Sequence, residues 1–568
     1  MMKRIKGTLL LACLSLSVFS QSNYSLDFNP ENYQKQTIEF EGKKIIVRAY
    51  EQIPYVTNPD NKELQVMNIY IPEAYFKKKK NINGYTAATA PIFFTNKISG
   101  YNEAQPATAL QFPGAGGPMG AGAPPADAQK GQGNGGPQGG QPGGFGGGGG
   151  PQGGGGGPQG GFGGGGPQGG FGGGGPQGGL GGGAPQGGEG RPQMNGTMQN
   201  NAGFQPQSAI AMALSRGYIV ASAGARGRKS RSVSGTYSGK APAAIVDLKA
   251  AICYLKYNDK VMPGDASKII SNGTSAGGAL SALLGATGNN PDYFPYLKEI
   301  GAAQASDDIF AVSAYCPITN LENADMAYEW QFNGINEYRK NSEPGTLSVK
   351  QKELSDKLKA EFPAYLNSLQ LKDAEGNALT LDSDGNGSFK NYIRTLLIQS
   401  AQKAQDEGRY LTRFSQLKIE NKKVVDVDWQ AQIKYMGRMK TPSAFDAVDL
   451  SSGENELFGD ADIQTKHFTA FGLNHSSKTS SLSSDKIVKM MNPLYYIGDA
   501  QTQTAAHWHI RHGTNDKDTG LAIPVILGTV LQNKGYDVNL ELAWDRLHSG
   551  DYELEELFNW LDNLCKAK

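Results

Sequence analysis

The sequence predicts an α/β fold, in which a parallel sheet is covered by helices on both faces. Short runs rich in β-branched residues alternate with helical periods on both sides of residues 113–204, and this alternation is typical of parallel sheets. The alternation stops at about residue 320 and returns near residue 486. We therefore predict two insertions in one sheet domain.

Residues 1–20 have the pattern of an export signal. Basic residues are followed by an apolar run, 9–19, that is too short to span a bilayer. Small residues before Gln21 predict cleavage there, which makes the mature protein secreted or periplasmic. The alternative is a lipoprotein signal, in which Cys13 carries the anchor. No later segment is predicted to cross a membrane.

The first part of the sheet domain is predicted at 21–112, with strands at 64–71 and 91–94. Residues 113–204 are dominated by Gly, Pro and Gln and contain a Pro-Gln-Gly-Gly repeat. Such a segment has almost no apolar surface to bury, so it cannot offset the entropy lost on ordering. We predict a disordered insertion.

The second part of the sheet domain is predicted at 205–319. Its elements are expected to be a helix at 208–215, a strand at 217–221, a helix at 243–257, a strand at 268–271, a helix from 276 and a strand at 309–314.

Residues 320–485 are polar and helix-rich, with a long helix expected around 350–364, and we predict a lid inserted into the sheet domain. Within it, Asp382, Asp384 and Asn386 resemble the start of a calcium-binding loop. Ile393 occupies the twelfth position of that loop, where a bidentate glutamate is needed, so a polar turn is the alternative.

The sheet pattern returns at 486–568, which we predict to be the third part of the domain. Its elements are expected to be a strand at 506–511, a helix at 519–534, a strand at 538–543 and a final helix at 553–566.

Charge and cysteine content exclude several kinds of partner. The chain has 54 basic and 53 acidic residues and lacks a basic stripe, so we expect no nucleic-acid partner. Cys253, Cys316 and Cys565 follow the signal without paired spacing, which argues against a disulfide framework or a zinc site. Buried, inert thiols are expected.

Gly273-Thr-Ser275-Ala-Gly277 matches the pattern GxSxG. A predicted strand precedes it and a predicted helix follows, which is the arrangement of the nucleophile elbow in α/β-hydrolases. Ser275 is therefore the candidate nucleophile. The oxyanion hole should use the backbone N–H of Ala276 and one from the loop after strand 91–94, at Gly100.

A serine nucleophile needs a base and an acid that orients the base. His548 follows the last predicted strand, where this fold places its histidine, while Asp516 and Asp518 follow the preceding strand and are rival acids. Three further histidines, His507, His509 and His512, share one predicted strand. They suggest either a metal site or ordinary strand histidines.

Several blocks of the sequence resemble the bacterial tannases, the subtype B tannin acyl hydrolases. These blocks are 273–289, 307–317, 326–333, 440–446, 511–519 and 544–551. The resemblance implies that Asp516 is the acid and His548 the base. It also implies that the galloyl hydroxyls are bound by three charged side chains, which are those of Lys440, Glu454 and Asp518.

The same resemblance implies that apolar residues flank the galloyl ring. Ile318 matches on one side, whereas Gly453 occupies the position where the family has a proline. A trihydroxyphenyl ring presents hydroxyls that two carboxylates and one ammonium can bind, so the implied set is chemically consistent.

The resemblance implies a serine esterase that cleaves galloyl ester and depside bonds of hydrolysable tannins and gallate esters, with no cofactor. A feruloyl or general aromatic-ester carboxylesterase is the alternative within the same chemistry. A secreted polyphenol-binding or adhesive protein is the non-enzymatic alternative.

Overall fold

A computed structural model of the chain describes residues 24–77, 80–109, 208–340 and 343–566. The predicted export signal (1–20), which includes Cys13, lies outside the described residues, and so does the predicted insertion (113–204). Both remain predictions.

The described residues contain strands and helices that alternate along much of the chain. The strands are β1 Gln34–Phe40, β2 Lys43–Pro54, β3 Val66–Pro72, β4 Pro91–Thr95, β5 Ile219–Ala223, β6 Asp265–Thr274, β7 Ala311–Tyr315, β8 Glu337–Lys340, β9 Glu343–Thr346, β10 Leu417–Glu420, β11 Lys423–Val427, β12 His507–Gly513 and β13 Asp537–Ala543. The helices are α1 Ala209–Ser215, α2 Ala243–Tyr257, α3 Ala276–Ala286, α4 Phe294–Glu299, α5 Leu321–Phe332, α6 Val349–Ser368, α7 Ser388–Asp406, α8 Trp429–Met436, α9 Gly453–Leu457, α10 Ala470–Asn474, α11 Asp485–Met490, α12 Ala522–Asn533 and α13 Leu554–Lys566.

The central sheet of the described residues has the strand order β1-β2-β3-β5-β4-β6-β7-β12-β13. From β5 to β13 the neighbouring strands are parallel, as predicted. At one edge the sheet is antiparallel, because β1, β2 and β3 pair antiparallel and β3 is antiparallel to β5. Antiparallel strands need only a short turn, whereas parallel strands need a crossover.

The chain on both sides of residues 113–204 contributes to this one sheet. β4, which precedes the segment, lies between β5 and β6, which follow it, and all five of its residues are buried. A run of buried apolar residues is expected for a strand covered on both faces. Residues 113–204 therefore connect two neighbouring strands of one sheet.

The helices cover the sheet and form one continuous apolar core with it. α3 packs on β6 and β7, and α12 packs on β12 and β13. The carboxyl ends of these parallel strands lie at one edge of the sheet, where ligands bind in open α/β folds.

Residues 320–485, called the inserted segment below, contain α5 to α10 and two hairpins, β8–β9 and β10–β11. The long predicted helix is α6, which begins at a capping box formed by Ser348 and Gln351. Among the helices of the described residues, none combines the length and the apolar character that a membrane span requires.

Candidate active site

Ser275 is the single residue that connects a strand to a helix. β6 ends at Thr274 and α3 begins at Ala276, and Ser275 has a backbone φ of +62°. A residue other than glycine rarely adopts this conformation, and strained residues of this kind concentrate at functional sites. The serine side chain is half-buried at the carboxyl edge of the sheet.

The glycines around Ser275 allow very close backbone approaches. A Cβ atom at Gly273 would lie 2.4 Å from the carbonyl oxygen of Gly277, and one at Gly277 would lie 2.5 Å from Asn96 Oδ1. At Gly278, a Cβ atom would lie 2.5 Å from the carbonyl oxygen of Tyr315. The small residues of this motif are therefore a packing requirement of the sharp turn.

Asp516 and His548 form a direct pair. The distance from His548 Nδ1 to Asp516 Oδ2 is 2.7 Å, while the distance to Asp518 Oδ2 is 4.0 Å. Asp516 follows β12 and is fully buried, and it also accepts a 2.9 Å hydrogen bond from the backbone N–H of Asp518. Of the two rival aspartates, Asp516 is therefore the one within hydrogen-bond distance of His548.

The environment shifts the pKa of both members of this pair. Burial raises the pKa of Asp516, but the neighbouring His512 and His548, and the hydrogen bond with His548, outweigh burial and keep this pKa well below its usual range. Burial lowers the pKa of His548, but the charge and hydrogen bond of Asp516 outweigh it, so this pKa lies above 6.5. The two pKa shifts therefore favour the charged forms of both groups, an ionised carboxylate and an imidazolium.

The loops carrying Ser275, Asp516 and His548 pack against one another. The backbone N–H of Ser275 donates to the carbonyl of Tyr315 at 2.9 Å. A Cβ atom at Gly550, two residues after His548, would lie 1.8 Å from Thr274 Oγ1, so the histidine loop touches the residue that precedes Ser275. The side chains of Ser275 and His548 are both described, and no hydrogen bond joins them. In unliganded enzymes such bonds are often long and tighten with substrate.

The two expected oxyanion donors come from neighbouring backbone segments. Ala276 is the first residue of α3, so its N–H has no acceptor within the helix. Gly100 lies in a turn closed by a 3.1 Å hydrogen bond from the N–H of Asn102 to the carbonyl of Ser99. The same loop reaches the serine turn, because a Cβ atom at Gly277 would lie 2.9 Å from the carbonyl oxygen of Ile98.

Lys440 and Asp518 lie beside His548. Lys440 Nζ is 4.0 Å from Asp518 Oδ1, and the two side chains are 23% and 30% exposed. Lys440, Gly453 and Glu454 line one cavity of about 590 Å³. This cavity is large enough for a ring the size of a galloyl group.

Tyr101 bonds to Ile318 and experiences the charge of Glu454. The Tyr101 hydroxyl donates to the carbonyl oxygen of Ile318 at 3.3 Å. Burial, followed by the charge of Glu454, raises the pKa of Tyr101. Lys440 is thus common to both groups: it lies near Asp518, and it lines the cavity that Glu454 also lines.

The calcium candidate in the inserted segment has partners of its own. Asp382 Oδ1 accepts the backbone N–H groups of Asp384 and Asn386 at 3.0 and 2.9 Å. Lys390 Nζ donates to Asn386 Oδ1 at 2.9 Å, which places an ammonium group at one of the candidate ligands. These contacts favour the alternative of a polar turn.

The three strand histidines do not come together as one cluster. His507 pairs with Asp537 at 2.8 Å, and His509 Nε2 lies 3.4 Å from Glu553. His512 points to the opposite face of β12, towards Asp516. Within the described residues, the groups able to hold a metal both include Asp516, one with Cys316 and His512 and one with Asp518 and His548.

Arg228 is a residue beside the site that the sequence analysis missed. Its Nε donates to the carbonyl oxygen of Gly100 at 2.9 Å, across 128 positions of the chain. No local pattern could reveal this contact, because residues 113–204 separate the two loops in sequence.

Several known proteins are similar to this chain. A family model described as BD-FAE matches residues 189–366. A tannase of Fusobacterium nucleatum is 44% identical, with 96% of this chain and all (100%) of that chain covered and a TM-score of 0.77. A tannin acyl hydrolase from Lactobacillus plantarum is 40% identical, with 95% and 99% covered and a TM-score of 0.76.

This chain belongs to the bacterial tannase family. The family resemblance and the α/β-hydrolase fold inferred from the sequence are thereby confirmed. Tannases are carboxylic ester hydrolases, so the chain is an enzyme of that class. A similar tannin acyl hydrolase, 40% identical over 95% of this chain and 99% of its own, has been solved in complex with ethyl gallate, with a TM-score of 0.75. No curated protein matches the sequence.

Proposed function

We propose that this tannase family member hydrolyses galloyl ester and depside bonds of hydrolysable tannins and gallate esters and releases gallic acid. The observation that carries this proposal is the 2.7 Å contact between His548 and buried Asp516. The loop that contains His548 also packs against the strained turn of Ser275. Similar tannin acyl hydrolases in complex with 3,4-dihydroxybenzoate and with ethyl gallate support the choice of acyl group.

The proposed reaction proceeds through an acyl-enzyme. His548 Nε2 accepts the proton of Ser275 Oγ while this oxygen attacks the ester carbonyl carbon, and Asp516 holds the Nδ1–H tautomer. The N–H groups of Ala276 and Gly100 stabilise the oxyanion. Protonated His548 then gives its proton to the departing alcohol. Water, activated by His548, attacks the acyl-enzyme and releases gallic acid and free Ser275.

Three charged side chains are proposed to bind the galloyl hydroxyls. Lys440 and Asp518 flank His548, and Glu454 shares a cavity with Lys440. Hydrogen bonds to charged groups are stronger than neutral ones, and leaving a buried partner unpaired is costly. An ester without ring hydroxyls should therefore react much more slowly.

The proposal is tested by initial rates with methyl gallate, methyl ferulate and 4-nitrophenyl acetate. We expect a strong preference for methyl gallate, and a loss of about 10⁴-fold or more on every ester in Ser275→Ala, since the nucleophile is removed. Exposed Ser234→Ala is the matched control. Equal rates on methyl gallate and methyl ferulate would instead favour the aromatic-ester alternative, and no activity on any ester would favour polyphenol binding.

Glu454→Gln should change specificity rather than chemistry. The loss of the carboxylate weakens the hydrogen bonds to the galloyl ring by about 1–3 kcal/mol, so kcat/KM for methyl gallate should fall about 10- to 100-fold. Hydrolysis of 4-nitrophenyl acetate should be nearly unchanged. Glu353→Gln, at an exposed position in α6, is the control. An equal loss on both esters would refute the proposed role of Glu454.

The activity should depend on deprotonation of His548. Because the pKa of His548 lies above 6.5, the base is protonated and inactive at lower pH. We therefore expect kcat/KM for methyl gallate to rise with pH, with its midpoint above pH 6.5. A pH–rate profile of the free enzyme measures this midpoint. A midpoint below 6.5 would show that burial outweighs Asp516 in setting the pKa of His548.

A further inference from the structure

Arg228 connects the loop that contains Gly100 to the helix that contains Glu454. Its backbone N–H donates to the carbonyl of Tyr101 at 2.8 Å, and its Nε donates to the carbonyl of Gly100 at 2.9 Å. The remaining part of the guanidinium forms an ion pair with Glu456 in α9, and only 16% of the arginine side chain is exposed. One residue thus binds two segments that border the proposed site.

The two carbonyls held by Arg228 belong to consecutive residues in the left-handed region. Gly100 and Tyr101 both have a φ of +56°. This conformation is unfavourable for tyrosine and persists only when the surroundings enforce it. The Gly100 and Tyr101 carbonyls share their peptide planes with the N–H groups of Tyr101 and Asn102, so Arg228 holds these two planes directly. The Asn102 N–H in turn donates to the carbonyl of Ser99, which shares its plane with the Gly100 N–H, so the hold extends to the proposed oxyanion donor.

The guanidinium packs against Gly453, the first residue of α9. A Cβ atom built at Gly453 would lie 3.1 Å from Arg228 Cζ and 3.4 Å from Nε. A side chain at this position would therefore press against the guanidinium and require it to shift by a few tenths of an ångström. Arg228 thus lies directly against Gly453 while it bonds to Gly100 and Glu456.

The backbone at Arg228 is also held in place. A Cβ atom at Gly227 would lie 2.0 Å from the N atom of Glu103, so the two loops are in direct backbone contact. Lys240 Nζ donates to the carbonyl oxygen of Arg228 at 2.8 Å. The arginine side chain therefore extends from a fixed point, which is what a positioning residue requires.

We propose that Arg228 is a positioning residue for ester hydrolysis, which orients the Gly100 loop for oxyanion stabilisation. This inference rests on the proposed function, since it concerns the oxyanion donor of the same reaction. Arg228 acts through Gly100 and Tyr101, so its effect applies to every ester. In this respect it differs from Glu454, whose effect depends on the galloyl hydroxyls.

The test is Arg228→Lys, which keeps a positive charge for Glu456 and the backbone N–H to Tyr101 but removes Nε. Removing one oxyanion donor outright costs about 10²–10³-fold in kcat, so misorienting it should cost about 10- to 100-fold on methyl gallate and 4-nitrophenyl acetate alike. KM should stay within about two-fold. Phenylboronic acid forms a tetrahedral adduct, so its affinity should fall by the same factor as kcat. The affinity for gallic acid should be unchanged.

Arg231→Lys is the matched control. Arg231 lies on the same loop, donates to the carbonyl of Gly235 at 2.7 Å and stacks on Tyr237, away from the Gly100 turn. It should retain full activity. Thermal unfolding is measured for both lysine variants and for the more severe Arg228→Met. Because only folded protein retains gallic acid binding, the two measurements together distinguish a misfolded variant from a folded variant with a misoriented loop.

Three results would overturn the proposal for Arg228. They are a loss confined to methyl gallate, equal weakening of phenylboronic acid and gallic acid, and unchanged kcat in Arg228→Lys. If the wild-type enzyme hydrolyses 4-nitrophenyl acetate without preferring gallate, the galloyl assignment fails while Arg228 is still tested on that ester. If the wild-type enzyme hydrolyses no ester, both proposals fail.

Discussion

Asp516→Asn should lower kcat for methyl gallate by about 10⁴-fold. The Asp516 carboxylate lies 2.7 Å from His548 Nδ1 and selects the tautomer in which Nδ1 carries the proton. An asparagine amide can donate to Nδ1 instead, which leaves the proton on Nε2, where it blocks acceptance from Ser275. Steady-state rates on methyl gallate and 4-nitrophenyl acetate measure the loss, which should appear on both esters.

Asp518→Asn is the matched control, because it removes a carboxylate two positions further along the same loop. Its distance of 4.0 Å from His548 Nδ1 is too long for a hydrogen bond. We expect this variant to lose methyl gallate hydrolysis but to keep most activity on 4-nitrophenyl acetate. If the two variants behaved in the opposite way, Asp518 would be the acid and the proposed roles would have to be exchanged.

The parts of the fold predicted from sequence are those with strong local signals. The helix predicted at 243–257 has the same bounds as α2, since a long buried helix has a clear apolar pattern. The order of strand, turn and helix around Ser275 was also predictable, because Ile269 and Ile270 mark the strand and the glycines mark the turn. The residues before and after 113–204 were correctly assigned to strands that share one sheet.

The elements missed by the sequence analysis have weaker or longer-range signals. β1 is a largely exposed edge strand, so it lacks the apolar run that identified the central strands. The hairpin β10–β11 was detectable in principle: its strands alternate, and Asn421 and Lys422 form the turn with φ values of +50° and +63°.

The residues of the candidate site also fall into two groups, those with a local sequence signal and those without one. Ser275, Asp516 and His548 follow strands at expected positions in the fold, so their order along the chain indicated them before the structure did. Lys440 and Glu454 carry no such local signal, and only the family resemblance singled them out. The contact of Arg228 with Gly100 depends on tertiary packing alone.

Arg438→Ala should cost about 3–5 kcal/mol in the free energy of unfolding, because it leaves the charge of Glu329 buried without a positive partner, with only the hydroxyl of Ser355 as a donor. The two side chains are fully buried, and Arg438 Nη1 lies 2.8 Å from Glu329 Oε1. Arg438 Nε also donates to the carbonyl of Ile335 at 3.0 Å, and Nη1 donates to that of Lys440 at 3.2 Å. Urea unfolding of the wild-type and variant proteins measures the difference.

Arg413→Ala is the control for this experiment, because Arg413 also forms an ion pair but is 64% exposed. Its loss should cost only about 0–1 kcal/mol. The double variant Glu329→Leu/Arg438→Met should recover much of the stability, since replacing both charges removes the desolvation cost that a single replacement leaves behind. Equal costs for the two single alanine variants would contradict this expectation.

Arg438 also holds the backbone of Lys440, so the double variant should remain folded yet bind gallic acid more weakly. This result would separate the contribution of the ion pair to stability from its contribution to the site.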